Sequence, residues 1–213
     1  MKHLKRNNAP KAWPIKRKGT KLVLKSDSKG LPVLIAIRDV LKIAKNRSEV
    51  KKAIHKKEIL LCNKPVKGEK EMLRIFDTLT IVPSKKNYKL ILSEFGKFDL
   101  EEIKDSEKSK KISKIDDKKI LKKKKTQLNL FDGRNFLTEL KCKVNDSVLI
   151  DFEKNKIEKC IPFKENSNVF VIGGKHAGKK GVIKKIDNKL KMAEIEVNKI
   201  SYHILIKQLM VTE

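Results

Sequence analysis

Residues 171–183 read VIGGKHAGKKGVI. From Gly173 to Lys179 the stretch fits G-x-x-x-x-G-K, the spacing of a loop that cradles nucleotide phosphates. Such a loop sets a Ser or Thr hydroxyl on Mg²⁺ directly after the lysine, and here that position is Lys180, whose charge repels the metal. It also runs straight into a helix whose N-terminal amides hold the phosphates. After Lys180 come Gly181 and the β-branched Val182 and Ile183, so a strand is expected instead. The pattern is therefore strand, glycine-rich loop, strand: NVFVIGG before, GVIKKI after, AEIEV third and ISYHILI fourth. Lys175, His176, Lys179 and Lys180 project from the loop, and Gly178 is expected where a side chain would strain a positive φ angle or block approach to a phosphate. Glycines that merely close a hairpin and lysines that merely solvate it describe the same residues, and both roles can hold together.

The rest of the chain shares this chemistry. Lys and Arg number 53 against 26 Asp and Glu, a formal charge of +27 on 213 residues, which calls for a polyanionic partner. Apolar residues make up 39%, below the usual share of roughly 45–50%, and charged residues 37%, above the usual ~25%. Two or three small modules joined by basic segments are expected rather than one large core. Cys62, Cys142 and Cys160 are widely spaced, with no C-x-x-C pair and no histidine at ligand spacing, so neither a zinc site nor a disulfide framework is expected. Isolated thiols suit a reducing cytoplasm, each behaving as a small apolar side chain. The longest apolar run, LPVLIAI at 31–37, is too short to span a bilayer, and the N-terminus has no apolar core of a signal peptide, so a cytoplasmic protein without a membrane partner is expected.

Residues 1–25 carry nine Lys or Arg and no acid, with Pro10, Pro14 and Gly19 preventing a long helix. An extended basic arm that orders on nucleic acid is expected, its candidate contacts being Lys2, His3, Lys5, Arg6, Lys11, Lys16, Arg17 and Lys18, with Trp13 stacking on a base or anchoring a partner. From Leu31 the spacing predicts a helix with Leu34, Ile37, Leu41 and Ala44 on one face and Arg38 beside it. Asn46 with Glu49 predicts a capped second helix whose outer face shows Arg47, Lys51 and Lys52. ILLCNKPV (59–66) reads as a strand turning at Asn63-Lys64, and LTIV (79–82) as another. YKLILSEFGKFDL (88–100) predicts a hairpin turning near Gly96. The lysine run SKKISKIDDKKILKKKK (109–125) reads as linker or strand, and QLNLF-DG-RNFL as a hairpin whose Asp-Gly supplies the positive φ angles of a two-residue turn. SVLIDF (147–152) is a further strand.

The acid pairs Glu101-Glu102 and Asp116-Asp117 lie in lysine-rich surface segments and read as charge balance, with no histidine placed to share a proton. His3, His55, His176 and His203 are scattered. No catalytic site, metal, cofactor or small-molecule substrate is expected.

Three resemblances sharpen this reading. The strand–loop–strand unit at 168–186 resembles the KOW motif of small SH3-like β-barrels in ribosomal proteins and transcription elongation factors. NRSEVKKAI (46–54) followed by ILLCNKPV is similar to the S-four-type RNA-binding module, in which the second helix and adjoining loop bind structured RNA; Lys57 and Lys64 stand where that module usually has glycines. The order of arm (HLKRNNAPKAW), module, central β region ending in KVNDSVLIDF, and KOW unit resembles the small-subunit ribosomal protein S-four-e family of archaea and eukaryotes, over nearly the whole chain. The resemblance implies an α+β chain: a basic arm at 1–30, an S-four-like module at 31–84, a central β domain at 85–165 and a C-terminal SH3-like KOW barrel at 166–213. It implies a non-enzymatic, rRNA-binding component of the small ribosomal subunit with neighbouring ribosomal proteins as partners. Because the sequence stops at Glu213, where eukaryotic relatives continue with a basic tail, an archaeal-type member is expected. A KOW-bearing transcription factor and an RNA-modification factor such as a pseudouridine synthase carry similar modules and stand as rivals.

Overall fold

A computed structural model of the protein describes residues 3–25, 30–121 and 126–212. It is mostly β-structure with few helices and divides into two compact units, Met1–Ser93 with Lys97–Ser109, and Glu94–Gly96 with Lys110–Glu213.

In the first unit the arm is folded rather than extended. His3–Lys5 pairs antiparallel with Leu22–Leu24, and a 3₁₀ turn, Arg6–Asn8, comes next in the chain. Between them Trp13 is only 2% exposed and its indole N–H donates to Gly30 O at 2.8 Å. The expectation that it stacks on a base is corrected: an indole is too large an apolar surface to leave in water when its own chain offers a pocket and a carbonyl. After the arm, Val33–Ile35 begins a helix that widens into a π-turn, Ala36–Val40, where Leu41 N–H reaches back five residues to Ala36 O. Lys42, at φ +54°, ends it. The second helix, Arg47–His55, forms as its sequence predicts. Asn46 Oδ1 accepts from Glu49 N–H at 3.0 Å, while the Glu49 carboxylate accepts from Lys45 N–H at 2.7 Å, so the cap is reciprocal. Val50 and Ile54 form its buried face.

These helices accompany a five-stranded antiparallel sheet in the order Lys64–Pro65, Ile59–Leu61, Thr78–Ile81, Lys86–Leu92, Phe98–Ile103. The first turn lies at Cys62-Asn63 (φ +49° and +63°), one residue earlier than expected, with Leu61 paired to Lys64 across it and both turn residues left-handed as a tight hairpin needs. Residues 86–103 thus extend the sheet begun by 59–81.

In the second unit the lysine run is a strand, Lys110–Ile120; residues 122–125 of that run lie outside the described residues. Its first half pairs with Ser147–Asp151 and its second half, past a bulge, with Thr126–Leu130. The sheet order is Asn135–Thr138, Thr126–Leu130, Lys110–Ile120, Ser147–Asp151, Lys156–Ile161. The Asp-Gly turn differs from expectation: only Gly133 has positive φ (+83°), and Asn129 is the last residue paired, with Asn135, so the loop is longer than two residues. Asp132 is occupied otherwise, its carboxylate accepting from Arg134 N–H and from the Lys111 ammonium at 2.8 Å. Lys111 and Asp132 are 1% and 4% exposed, a buried ion pair at the turn. Ile115, Leu128, Leu130, Val148 and Ile150 form the core of this sheet. Cys160 faces Cys142 and Asp146, and burial together with these neighbours pushes its thiol up to about 12, so it stays protonated.

The closing sheet runs Ile200–Leu205, Met192–Val197, Lys180–Asp187, Asn168–Val171, Leu209–Val211, all antiparallel, over a core that includes Val169, Val171, Ile183, Ile195 and Leu209. Lys114 is buried, and its ammonium donates to Ile206 O at 2.6 Å. Burial lowers this amine to about 8, outweighing the upward pull of Asp116, and Lys207 adds to the lowering. The unfolded chain keeps the proton to about pH 10.4, so between these values the unfolded state binds more protons and folding stability rises with pH. Urea denaturation of wild type and Lys114→Met between pH 7 and 10 is expected to show the wild type gaining on the variant, by roughly 3 kcal/mol at the upper end. A constant difference across that range would show that the amine is not desolvated.

Candidate nucleic-acid interface

The arm and the helix pair enclose a cleft of about 900 Å³. Ile15, Val23, Leu34 and Ile35 give it an apolar wall, and Lys16, Lys18, Arg38, Lys42, Lys45 and Arg47 stand around it. The sequence sets these cations far apart; the arm's fold brings them together. The arm holds its shape through its own arginines. Arg6 donates from Nε to Thr20 O (2.6 Å), from Nη1 to Lys16 O (2.8 Å) and from Nη2 to Thr20 Oγ1 (2.6 Å), and Arg17 Nη1 donates to Ala9 O (2.8 Å). Both were expected to face RNA; each also clamps loop carbonyls, because a guanidinium's five donors can close several turns of backbone at once, and Arg17 stays exposed. Their charge remains, as carbonyls do not neutralise it. Arg38 is bidentate to Asp39 (2.7 and 3.2 Å). Arg47 is bidentate to Glu69, through Nε at 2.7 Å and a shorter contact from Nη2. The Arg47 hydrogen bonds hold the Glu69 carboxyl below the usual carboxylate range, against the opposing effect of its burial. Lys16, Lys18, Lys42 and Lys45 have no acid partner among the described residues. His3, Lys5, Lys11, Lys51 and Lys52 are exposed. Lys2 lies outside the described residues.

In the second unit the glycine loop joins Asn168–Val171 to Lys180–Asp187, so it leads into a strand and not a helix. Val171 N–H donates to Lys179 O (3.0 Å) and Gly178 N–H to Val171 O (2.8 Å), closing the loop at its neck. Gly178 has φ +92°, as expected, but is buried. Its role is the turn itself, and the expected close approach of RNA at this residue is corrected. Lys175 and Lys180 are exposed. Lys179 Nζ lies 4.2 Å from the centre of the Tyr202 ring, and His176 packs against the same ring at 4.5 Å. Burial, then the fields of Lys179 and Lys175, lower the His176 pKa, so it presents a neutral ring at neutral pH. With Lys180 in place of a hydroxyl and no helix N-terminus, the loop lacks both features a nucleotide-binding loop requires. Among the described residues no cluster of His, Cys, Asp or Glu is placed to hold a metal, and no helix is long and apolar enough to cross a membrane.

The family model "Ribosomal family S4e" matches residues 84–157, and the KOW motif matches residues 165–198. The small ribosomal subunit protein eS4 of Methanocella arvoryzae is 38% identical over 190 residues, covering 86% of this chain and 80% of that protein. The chain belongs to the ribosomal S4e family. The eS4 proteins of Methanothermobacter thermautotrophicus and Nanoarchaeum equitans are 36% and 31% identical, each over 87% of this chain and 79% and 82% of theirs. The crystal structure of the 30S ribosomal protein S4e from Thermoplasma acidophilum has the same fold, with a TM-score of 0.75, 22% identity, and coverage of 87% of this chain and 95% of that one.

Within this S4e chain the KOW match spans the whole glycine loop. Sequence reading missed Tyr202, the platform under His176 and Lys179, whose only signal was an aromatic on a strand otherwise aliphatic inside. It also missed Lys42 and Lys45 as cleft residues, and Glu69, which looked like one acid among surface lysines.

This geometry makes two substitutions informative. Arg47→Ala strands a nearly buried carboxylate and is expected to lower folding stability by about 1–2 kcal/mol at pH 7, Arg47 itself being half exposed, while Lys51→Ala with Lys52→Ala stays within about 0.5 kcal/mol. Glu69's contribution is present above its unfolded pKa and fades as pH falls through the depressed folded value, so the Arg47→Ala deficit in thermal melts shrinks toward acid. Gly178→Val forces a β-branched residue to φ +92° and is expected to cost about 1–3 kcal/mol in chemical denaturation; a melting curve like wild type would mean the loop refolds around it.

Proposed function

We propose that the chain is a structural constituent of the small ribosomal subunit that holds rRNA on its basic surfaces, by neutralising phosphates rather than by catalysis. It acts in the ribosome, in the cytoplasm, with rRNA and neighbouring ribosomal proteins as partners and no membrane or small-molecule substrate. The carrying observation is family membership over most of the chain, joined to a cluster of cations at the cleft of which Lys16, Lys18, Lys42 and Lys45 have no acid partner among the described residues. Three surfaces take the RNA: the arm through His3, Lys5, Lys11, Lys16 and Lys18; the helix pair through Lys42, Lys45, Lys51 and Lys52, with Arg38 beside them already paired to Asp39; and the glycine loop through Lys175, His176, Lys179 and Lys180. A-form RNA hides its base edges in a narrow groove, so such surfaces read phosphates, 2′-hydroxyls and shape. By function we divide the chain into the arm at 1–30, an S-four-like module at 31–84, a central β domain at 85–165 and an SH3-like KOW barrel at 166–213. This division tracks the RNA-facing surfaces and cuts across the sheet that residues 59–103 share. The reciprocal cap of the second helix supports the S-four-like module, and the five antiparallel strands around the glycine loop support the barrel.

If on the order of eight phosphates are neutralised, log K for small-subunit rRNA falls against log salt with a slope of about −6 to −7. Lys175→Ala with Lys180→Ala is expected to reduce that slope by up to about 2 while leaving the melting temperature unchanged. A salt-independent isotherm, or cofractionation with polymerase in place of small subunits on a sucrose gradient, would overturn this function.

A further inference from the structure

Residues 93–97, SEFGK, turn the hairpin between Lys86–Leu92 and Phe98–Ile103. Phe95 at its tip is 90% exposed, the most exposed large apolar side chain among the described residues. A turn in water gains nothing from a phenyl ring, and its neighbours Glu94, Gly96 and Lys97 are of the polar or small kind that turns favour. The tip is also rigidly held. Ser93 N–H donates to Lys97 O (2.8 Å), Lys97 N–H to Ser93 Oγ (3.3 Å), and the next residue, Phe98, is buried with its N–H on Ala12 O (2.8 Å). An aromatic with two side-chain torsions on a fixed turn loses little freedom when it is covered. Residues 94–96 belong to the second unit, where a Cβ at Gly96 would lie 3.7 Å from that of Ala177, in the middle of the glycine loop. The turn that carries Phe95 is therefore next to the segment that carries Lys175, His176, Lys179 and Lys180.

We propose that Phe95 stacks on an unpaired RNA base whose adjoining phosphates are held by the glycine-loop lysines. The inference rests on the rRNA-binding reading and adds the kind of RNA met there: a bulged or looped nucleotide, because paired bases in an A-form helix expose no face to a side chain. Charge decides against an apolar protein pocket. The adjoining loop carries the exposed Lys175 and Lys180, and RNA brings phosphates and a flat apolar face together, which an apolar protein pocket does not. Stacking of this kind is tolerant of sequence, since every base has a π-face.

The test compares Phe95→Ala and Phe95→Trp in the full chain, titrated with small-subunit rRNA at several salt concentrations. Phe95→Ala is expected to weaken binding about tenfold, the worth of one stacked base, with the salt slope and melting temperature unchanged because no phosphate contact and no buried group is lost. Phe95→Trp is expected to retain the affinity and to show emission quenched on RNA binding, over the constant background of buried Trp13. If wild type binds with a steep salt slope and Phe95→Ala matches it within twofold, the stacking proposal fails and the rRNA-binding function stands. If Phe95→Ala keeps its RNA affinity but no longer enters the subunit, the ring seats in a neighbouring protein and the proposal is wrong. No salt-dependent binding by wild type removes both.

Discussion

Acids are the scarce component of this chain, 26 against 53 bases, and their placement decides which cations build the fold and which are left for a partner. Glu69 holds Arg47, Asp39 holds Arg38, and Asp132 holds Lys111 inside the central sheet. Where no acid is at hand, backbone carbonyls serve, for Arg6 and Arg17 in the arm and for Lys114 in the second unit. A carbonyl satisfies a donor without cancelling its charge, so this arrangement makes structure from basic residues while leaving the positive field intact. The surplus gathers at the cleft and the glycine loop, where like charges stand close together.

The same use of carboxylates and carbonyls lets small cores carry so many lysines. Two of the most deeply buried side chains are Lys111 and Lys114, each with its ammonium matched, one to a carboxylate and one to a carbonyl. Their aliphatic stems add apolar contact where the chain is poor in large hydrophobes. The lysine run that looks like low complexity is thus a strand with a buried stretch, Lys111, Ser113, Lys114 and Ile115, and exposed residues beyond it.

The glycine loop shows the same division at smaller scale. Gly178 serves the backbone and is buried, while Lys175 and Lys180 face solvent and Lys179 is steadied by Tyr202. Whether a glycine-lysine sequence can cradle a nucleotide is settled by the element on its C-terminal side, and here the β-branched Val182 and Ile183 make a strand.

Local chemistry was legible in the sequence because it acts over a few residues. The Asn46–Glu49 cap, the hairpin near Gly96, the strands either side of the glycine loop and the rejection of a nucleotide site all depend on neighbours within about four positions. Composition alone called for a polyanion, and the order of motifs pointed to the family. The features beyond the reach of the sequence depended on contacts between distant positions. Trp13 found Gly30, Arg47 found Glu69, Lys114 found Ile206, and the two cleft walls met only through the folded arm. An exposed and a buried lysine look alike as letters. Only the tertiary structure, by setting which donor reaches which acceptor once water is excluded, decides whether its charge belongs to the fold or to the RNA.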